Sequence, residues 1–379
     1  MKSSFRRRAA SFVILLWLAV CISVSSLLAA SHNPVLLKAK QEAESKGYAF
    51  LNSHDEIVAG AKKEGKVRAL GLLSRNTYQI MINAFKKRYP FISDVYVEEA
   101  GATEAPQRFL LELRAGRGTD WDVFSVAPDF YSEYIPYIKR FDISGMAEQK
   151  VLAIPSGMID PKNRTTVSIA SSIHVIGYNK KLVAEEKVPR TWEDFLKPEF
   201  KGKKFMVDIR PLGFAALAAG LGEQWALDYA GKIAAQEPVW IRGQSRQLTG
   251  IAAGEHAMLH LAFYHSCLRT AKKDPTGSLA CKVIEPVPAR IQNFVAVSNT
   301  APRPNASLLW IEFQATPEAQ RIIDEHEPLN SSIYAPGSAL ADVIQGKKVS
   351  ANNWDTWHQT RRWEEMVVKA FGFPKAEEK

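Results

Sequence analysis

VPRTWEDFLKPEFKGKKFMVDIRPLGF, residues 188–214, compresses helix, turn, strand, loop and helix into one run. Thr191 and Asp194 stand three apart, an acidic variant of the capping box that opens a short helix. Trp192 and Phe195 give that helix an apolar contact, and Pro198 makes its continuation costly. Gly202 permits a turn. Lys204–Asp208 then reads as a strand, with Phe205 and Val207 alternating against Met206. The chain leaves it through Asp208–Gly213 and enters an alanine-rich helix. A polar loop between the carboxyl end of a strand and the amino end of a helix is where open α/β sheets hold ligands.

Upstream, the same alternation of elements recurs. Ser53-x-x-Glu56 caps a helix over 54–64 that Gly65 stops, and Val67–Leu73 reads as a buried strand. A helix with Ile80, Met81, Ala84 and Phe85 on one face ends at Pro90. Val95–Glu98, a helix over 103–114 and the strand Trp121–Val126 complete a β-α-β-α-β order. Short connections of this kind predict a parallel sheet covered on both faces. Tyr131, Tyr134 and Tyr137 recur at helical spacing and read as packing. Ser168–Tyr178 is a long strand in which His174 alternates with apolar positions, as a core-edge histidine does.

Downstream, Gly213–Ala235 reads as one long helix with an interruption at Gly220-x-Gly222. Pro238–Ile241 is a brief extended piece, Arg242–Arg246 a polar turn, and Leu248–Ala253 a helix. Ala257–Phe263 is a strand, Tyr264–Lys273 a helix and Lys282–Pro286 another strand. The tail, 351–373, ends in an amphipathic helix bearing Met366, Val367, Ala370 and Phe371, expected to pack on the first lobe.

The 379 residues carry a formal charge of +9. Residues 1–30 read as a secretory signal: Arg6–Arg8 precede the apolar core Phe12–Leu28, and Ala29 and Ala30 offer small residues for cleavage. A retained membrane anchor is the competing reading. Cleavage would remove Lys2 and three arginines and leave +5 (9 − 4). The remaining cations are interspersed with carboxylates, which argues against a nucleic-acid partner. The 349 residues that follow (379 − 30) suggest two domains. Cys267 and Cys281 either pair in an oxidising compartment, worth about 3 kcal/mol for a loop of that size, or stay as buried thiols. No nucleophile elbow, P-loop, complete dinucleotide fingerprint, C-x-x-C or H-E-x-x-H occurs, which lowers the expectation of catalysis. A hydrolase or transferase on a two-lobe frame is the reading from a different class.

TWEDFLKPEFKGKKFMVD resembles the TW-D-L-P-(W/F)-KGK-strand-D signature of the extracellular solute-binding proteins of ABC importers, in the group that includes ferric-iron binders. AAKKEGKV, TDWDVFSV, the Gly254-Glu255 strand and the Pro302-x-Pro304-Asn305-Ala306 turn are similar to further parts of that family. The resemblance implies a two-lobe, type II periplasmic-binding-protein fold, each lobe a mostly parallel sheet flanked by helices. Lobe 1 would span 53–170 plus part of 287–379, and lobe 2 would span 179–286. Crossing strands at 168–178 and about 287–300 would form the hinge. It also implies a monomeric periplasmic protein without catalysis, whose partners are a small ligand and an ABC permease.

Polar loops after the predicted strands place Ser74, Arg75, Asp129, Asp208, Arg210, Tyr264 and His265 at the cleft, with Arg242 and Arg246 beside them. The family implies ferric iron as cargo, bare or with an anion. Its iron binders carry two adjacent tyrosines where this chain has Tyr264-His265, so Tyr264, His265 and Asp208 are the metal-ligating candidates. The arginines support the alternative cargo, a small organic carboxylate or phosphorylated anion, since guanidinium forks suit those groups.

Overall fold

The computed structural model describes residues 34–100, 104–117, 120–327 and 330–373. The signal reading over 1–30 lies outside them. Among the described residues no helix is long and apolar enough to cross a membrane.

The chain opens with α1 (Pro34–Ser45) and α2 (His54–Glu64). Ser53 accepts from the Glu56 amide and Gly65 closes α2 in the left-handed conformation. There follow β1 (Lys66–Gly71), α3 (Arg75–Arg88), β2 (Asp94–Glu99), α4 (Glu104–Arg114), β3 (Val123–Val126), α5 (Tyr131–Tyr134), α6 (Ile143–Glu148) and the 14-residue β4 (Thr166–Asn179). The central part holds β5 (Met206–Asp208), α7 (Leu212–Leu221), α8 (Glu223–Ala235), β6 (Val239–Ile241), α9 (Gln244–Ala253), β7 (Met258–Phe263), α10 (Tyr264–Lys273) and β8 (Leu279–Lys282). The rest is β9 (Val287–Val297), α11 (Pro304–Gln314), α12 (Pro317–His326), α13 (Ala339–Ile344), β10 (Val349–Asn352) and α14 (Thr360–Ala370).

Two sheets share a pair of crossing strands. Hydrogen bonding runs β2-β1-β3-β9-β4-β7-β5-β6, with β10 on β9 and β8 on β4. The first half of β4 pairs with β9, from Thr166↔Ala296 to Ile173↔Ala289. Its second half pairs with β7, from His174↔Phe263 to Tyr178↔Met258, and with β8. The chain therefore passes from one sheet to the other at Ile173–His174. β1, β2 and β3 are parallel in the first lobe, and β5, β6 and β7 in the second.

Alternation along each strand distributes side chains between two cores per lobe. Val67 and Ala69 join the layer of Met81, Phe85 and Trp310, whereas Leu70 faces Phe109, Phe124 and Phe294. In the second lobe Phe205 and Val207 meet Trp192, Phe195 and Phe214, whereas Met206 meets Leu248 and Leu259.

The opening stretch folds as two 3₁₀ turns, Glu193–Leu196 and Pro198–Phe200, not as an α-helix. The capping box itself forms, with the Asp194 amide on Thr191 Oγ1 and the Thr191 amide on Asp194 Oδ2. Pro198 comes too soon for an α-helical turn to propagate. The interruption expected at Gly220-x-Gly222 within 213–235 is a full break between α7 and α8 at Gly222, whose φ of 93° an L-residue adopts only under strain. The tail departs from expectation too. Trp354 lies on Phe294 of the first lobe (centroids 4.5 Å), but α14 packs on α7 and α8 through Trp363, Val367 and Phe371. It thus spans both lobes instead of returning to the first.

Cys267 and Cys281 form a disulfide (S–S 2.03 Å) that fastens α10 to β8.

Candidate ligand-binding site

Strand register decides where the polar loops gather. β7 ends at Phe263, opposite His174 at the crossover, and β5 and β6 run parallel to it. β3 runs antiparallel to β9, so its carboxyl end, Val126, points towards the same crossover. Both parallel sheets therefore present their carboxyl edges to the shared strands. The floor is β4 and β9, and the walls are the loops after β1 and β3 on one side and after β5, β6 and β7 on the other.

The second-lobe wall is closely connected. Asp208 is 5% exposed and takes both arms of Arg210, Nε at 3.2 Å and Nη2 at 2.9 Å. Gln244 donates to Asp208 Oδ2 at 3.2 Å and accepts from the Phe263 amide at 3.2 Å. One amide side chain thus joins the ends of β5 and β7 through the start of α9. The helices α7, α9 and α10 begin at residues 212, 244 and 264, so three amino termini meet one sheet edge. That arrangement favours negative charge. Arg242 and Arg246 flank the start of α9, exposed and without a carboxylate partner among the described residues.

Three imidazoles underlie this wall, each kept neutral by burial. His174 and His260 are both 1% exposed and are pushed down to about 3; His265 falls to about 4. Tyr229 donates its single proton to the Trp192 carbonyl at 2.6 Å. It must accept from His260 Nε2 at 2.8 Å, which leaves His260 Nδ1 unprotonated and without a partner. The His174 ring lies tilted against Phe263 (centroids 4.6 Å), and Phe263 against His265 (5.3 Å). α7 can lie this close because residue 213 is glycine: a Cβ there would stand 2.9 Å from Leu261 Cβ and 3.0 Å from His174 Cδ2. Leu261 marks a bulge where β7 slips against Val175–Gly177, with φ of 53°. Tyr264, partly buried, has its hydroxyl pushed up by desolvation, so the phenol rather than the phenolate is favoured.

The first-lobe wall is looser. Ser74 caps α3, and its amide is held by Glu327 at 2.6 Å. Arg75 is exposed, beside β2 in a cavity of about 320 Å³ with Tyr96, Glu98 and Glu99. This places it on the far side of β1 from the crossover. Asp129 reaches Arg290 of β9 at 3.3 Å.

The register sets Asp208, Arg210, Tyr264 and His265 on one wall, with Asp129 facing the shared strands. No group of three His, Cys, Asp or Glu side chains placed to hold a metal ion is present among the described residues. Three further residues escaped the sequence reading: Gln244, Arg290 and Glu364. Arg290 had a signal, as the lone cation in the apolar strand VPARIQNFVAV. Glu364 had none.

Residues 129–360 match the bacterial extracellular solute-binding protein family. No curated protein matches the chain. Among solved structures, the Trichodesmium protein IdiA (FutA), in complex with iron and citrate, superposes with a TM-score of 0.65 at 18% identity, over 80% of this chain and 99% of its own. Ferric iron-binding protein A of Mannheimia haemolytica, in an open conformation, gives 0.64 at 16% identity, over 81% and 99%. The substrate-binding protein of an Agrobacterium tumefaciens ABC transporter gives 0.57 at 17%, over 80% and 95%. At such identities the likeness is one of fold.

Proposed function

The chain belongs to the bacterial extracellular solute-binding proteins, a binding and not a catalytic family, and we propose that it delivers an anionic ligand to an ABC importer from the periplasm. The ligand carries carboxylate or phosphate oxygens and is held between the lobes until the permease receives it. One observation carries this reading. Three helix amino termini, with Arg210, Arg242 and Arg246, converge on a single sheet edge. Closure about the β4 and β9 crossing would add groups from the first lobe, which is how a hinged trap gains affinity. The leader at 1–30 would direct export, and the mature protein would act as a monomer.

Ferric iron is the second reading, favoured by Tyr264 at the start of α10, whose hydroxyl has no hydrogen-bond partner among the described residues. Asp208 is committed to Arg210 and Gln244, and His265 is the imidazole next to Tyr264 in the chain. Iron(III) would therefore arrive chelated by an anion, with the arginines holding the anion's free oxygens.

Native mass spectrometry and metal analysis of protein purified from the periplasm test both readings. The expected result is one acidic small molecule per chain, with or without iron, lost in the Arg242→Ala/Arg246→Ala variant. A co-purifying ligand with no acidic group would overturn the anion reading. Bare iron at one per chain, its visible absorbance abolished in Tyr264→Phe, would replace it with the ferric-ion reading.

A further inference from the structure

Arg290 lies in β9 opposite Ser172 and Asn352 and is 5% exposed. A guanidinium has five donors, and a buried one ordinarily uses most of them. Among the described residues this one makes a single side-chain hydrogen bond, Nη2 to Asp129 Oδ1 at 3.3 Å, and the Asp129 side chain is 51% exposed. Such an unfilled fork on a cleft floor points to an anion as its missing partner. Glu364 of α14 lies within electrostatic reach of both Arg290 and Asp129. Its Oε1 is buried with no hydrogen-bond partner among the described residues, and it lines a cavity of about 540 Å³ with Arg210, Arg361 and Lys369. Three units therefore meet at one place: a first-lobe loop through Asp129, the crossover through Arg290, and a helix packed on the second lobe through Glu364.

We propose that Arg290 anchors the anionic ligand on the cleft floor, and that Glu364 is a competing counter-ion that must be protonated for the anion to bind. Capture then takes up one proton from solvent onto the Glu364 carboxylate. This inference rests on the anion reading of the cleft.

The charges around Glu364 fix the sign. Burial pushes its carboxyl up to about 7; Arg290 of β9 pulls it back, while Asp129 and the neighbouring Glu365 push it further up. Of the other charges in the cavity wall, Arg361 is paired with Glu365 at 3.3 Å and Arg210 with Asp208, which leaves Lys369. An anion placed on Arg290 cancels the cation that favours the carboxylate, so the bound state binds the proton more tightly than the free state. Below pH 7 Glu364 is already protonated and affinity is flat. Above pH 7 affinity falls, by up to about tenfold per pH unit.

Calorimetric titration of the signal-free protein with citrate, inorganic phosphate and ferric citrate, at pH 6, 7 and 8 in buffers of different ionisation enthalpy, tests this. The expected result is binding by at least one probe with uptake approaching one proton at pH 8, and affinity falling from pH 7 to 8. In Glu364→Gln the uptake vanishes and the affinity becomes independent of pH. Arg290→Gln weakens binding by about 30-fold or more while its circular dichroism and melting temperature stay within the range of Glu364→Gln. Binding that is pH-independent and proton-neutral in the unmodified protein would overturn the inference and leave the anion reading intact. Binding by none of the three probes would overturn both.

Discussion

On the second-lobe wall, Gln244 ties Asp208 to the Phe263 amide and Asp208 grips Arg210, so that the loops after β5 and β7 and the start of α9 share one hydrogen-bonded network. On the first-lobe wall, Ser74 is used in capping α3, Arg75 stands exposed beside β2, and Asp129 makes one contact to the floor. The contrast teaches a division of labour. The second lobe fixes its binding edge in advance, with three neutral imidazoles and a disulfide behind it, and so presents a preorganised surface. The first lobe carries its charges on separate loops, which the proposed closure would bring to the ligand.

Acid should expose the difference most strongly. His174 and His260 are held near 3, far below an unfolded histidine at about 6.5. The unfolded chain thus binds more protons between those values, and stability falls as pH drops below 6.5. Each histidine contributes up to about 1.4 kcal/mol per pH unit, on the order of 4 kcal/mol for the pair by pH 5. Urea unfolding at pH 6.5 and pH 5 measures this loss, and His260→Gln should reduce the slope. Equal stability at the two pH values would mean that the imidazoles are not sealed.

Removal of the disulfide should come next. Cys267→Ser/Cys281→Ser releases α10, which bears Tyr264 and His265, from β8, at about 3 kcal/mol of unfolding free energy. The same change leaves every first-lobe contact in place. A shift in urea midpoint unaccompanied by weaker ligand binding would show that α10 needs no fastening to keep its residues in position.

Gln244→Leu is smaller but more pointed. It strands the Phe263 amide and leaves Asp208 Oδ2 to Arg210 alone, at about 1–3 kcal/mol, and should loosen the Asp208–Arg210 pair, so that ligand affinity drops along with the melting temperature. Arg75→Ala on the opposite wall should change stability by no more than about 0.5 kcal/mol. If Arg75→Ala proves as costly as Gln244→Leu, the two walls are not built differently.

Sequence periodicity sufficed where hydrophobic burial alone sets the structure. α2 occupies the residues read from its caps, α10 the span Tyr264–Lys273 expected between two strands, and the alternation of Phe205, Met206 and Val207 reports two cores. It fell short where a polar side chain acts at a distance. The run Arg242–Arg246 reads as a turn, yet α9 already starts at Gln244, because that residue is drawn inward to Asp208 and Phe263. The strand expected at Lys282–Pro286 lies instead at Leu279–Lys282. Asp274 accepts from the Thr276, Ser278 and Leu279 amides, and that turn brings the chain onto the edge of β4 early.

The tail teaches the same lesson in reverse. Val367 and Phe371 were legible as an apolar face, but nothing local says which lobe covers it. The alanine-rich surface of α7, with Ala215 and Ala218, offers room for Trp363 and settles the matter. Within the candidate site the arginines of the second lobe were readable as types, whereas Arg290 and Glu364 become visible only when β9 and α14 are brought together.

A crystal structure of the mature chain with its co-purified ligand is the most direct test of the central claim, that the carboxyl edges of two sheets shut on an anion at their crossing strands. The expected result is acidic oxygens of the ligand on Arg290, with the Gln244–Phe263 edge on one side and the Asp129 loop on the other. A ligand seated instead in the groove of about 500 Å³ between α9 and α10, against Arg269 and Lys273, with the space between the lobes occupied only by water, would contradict it.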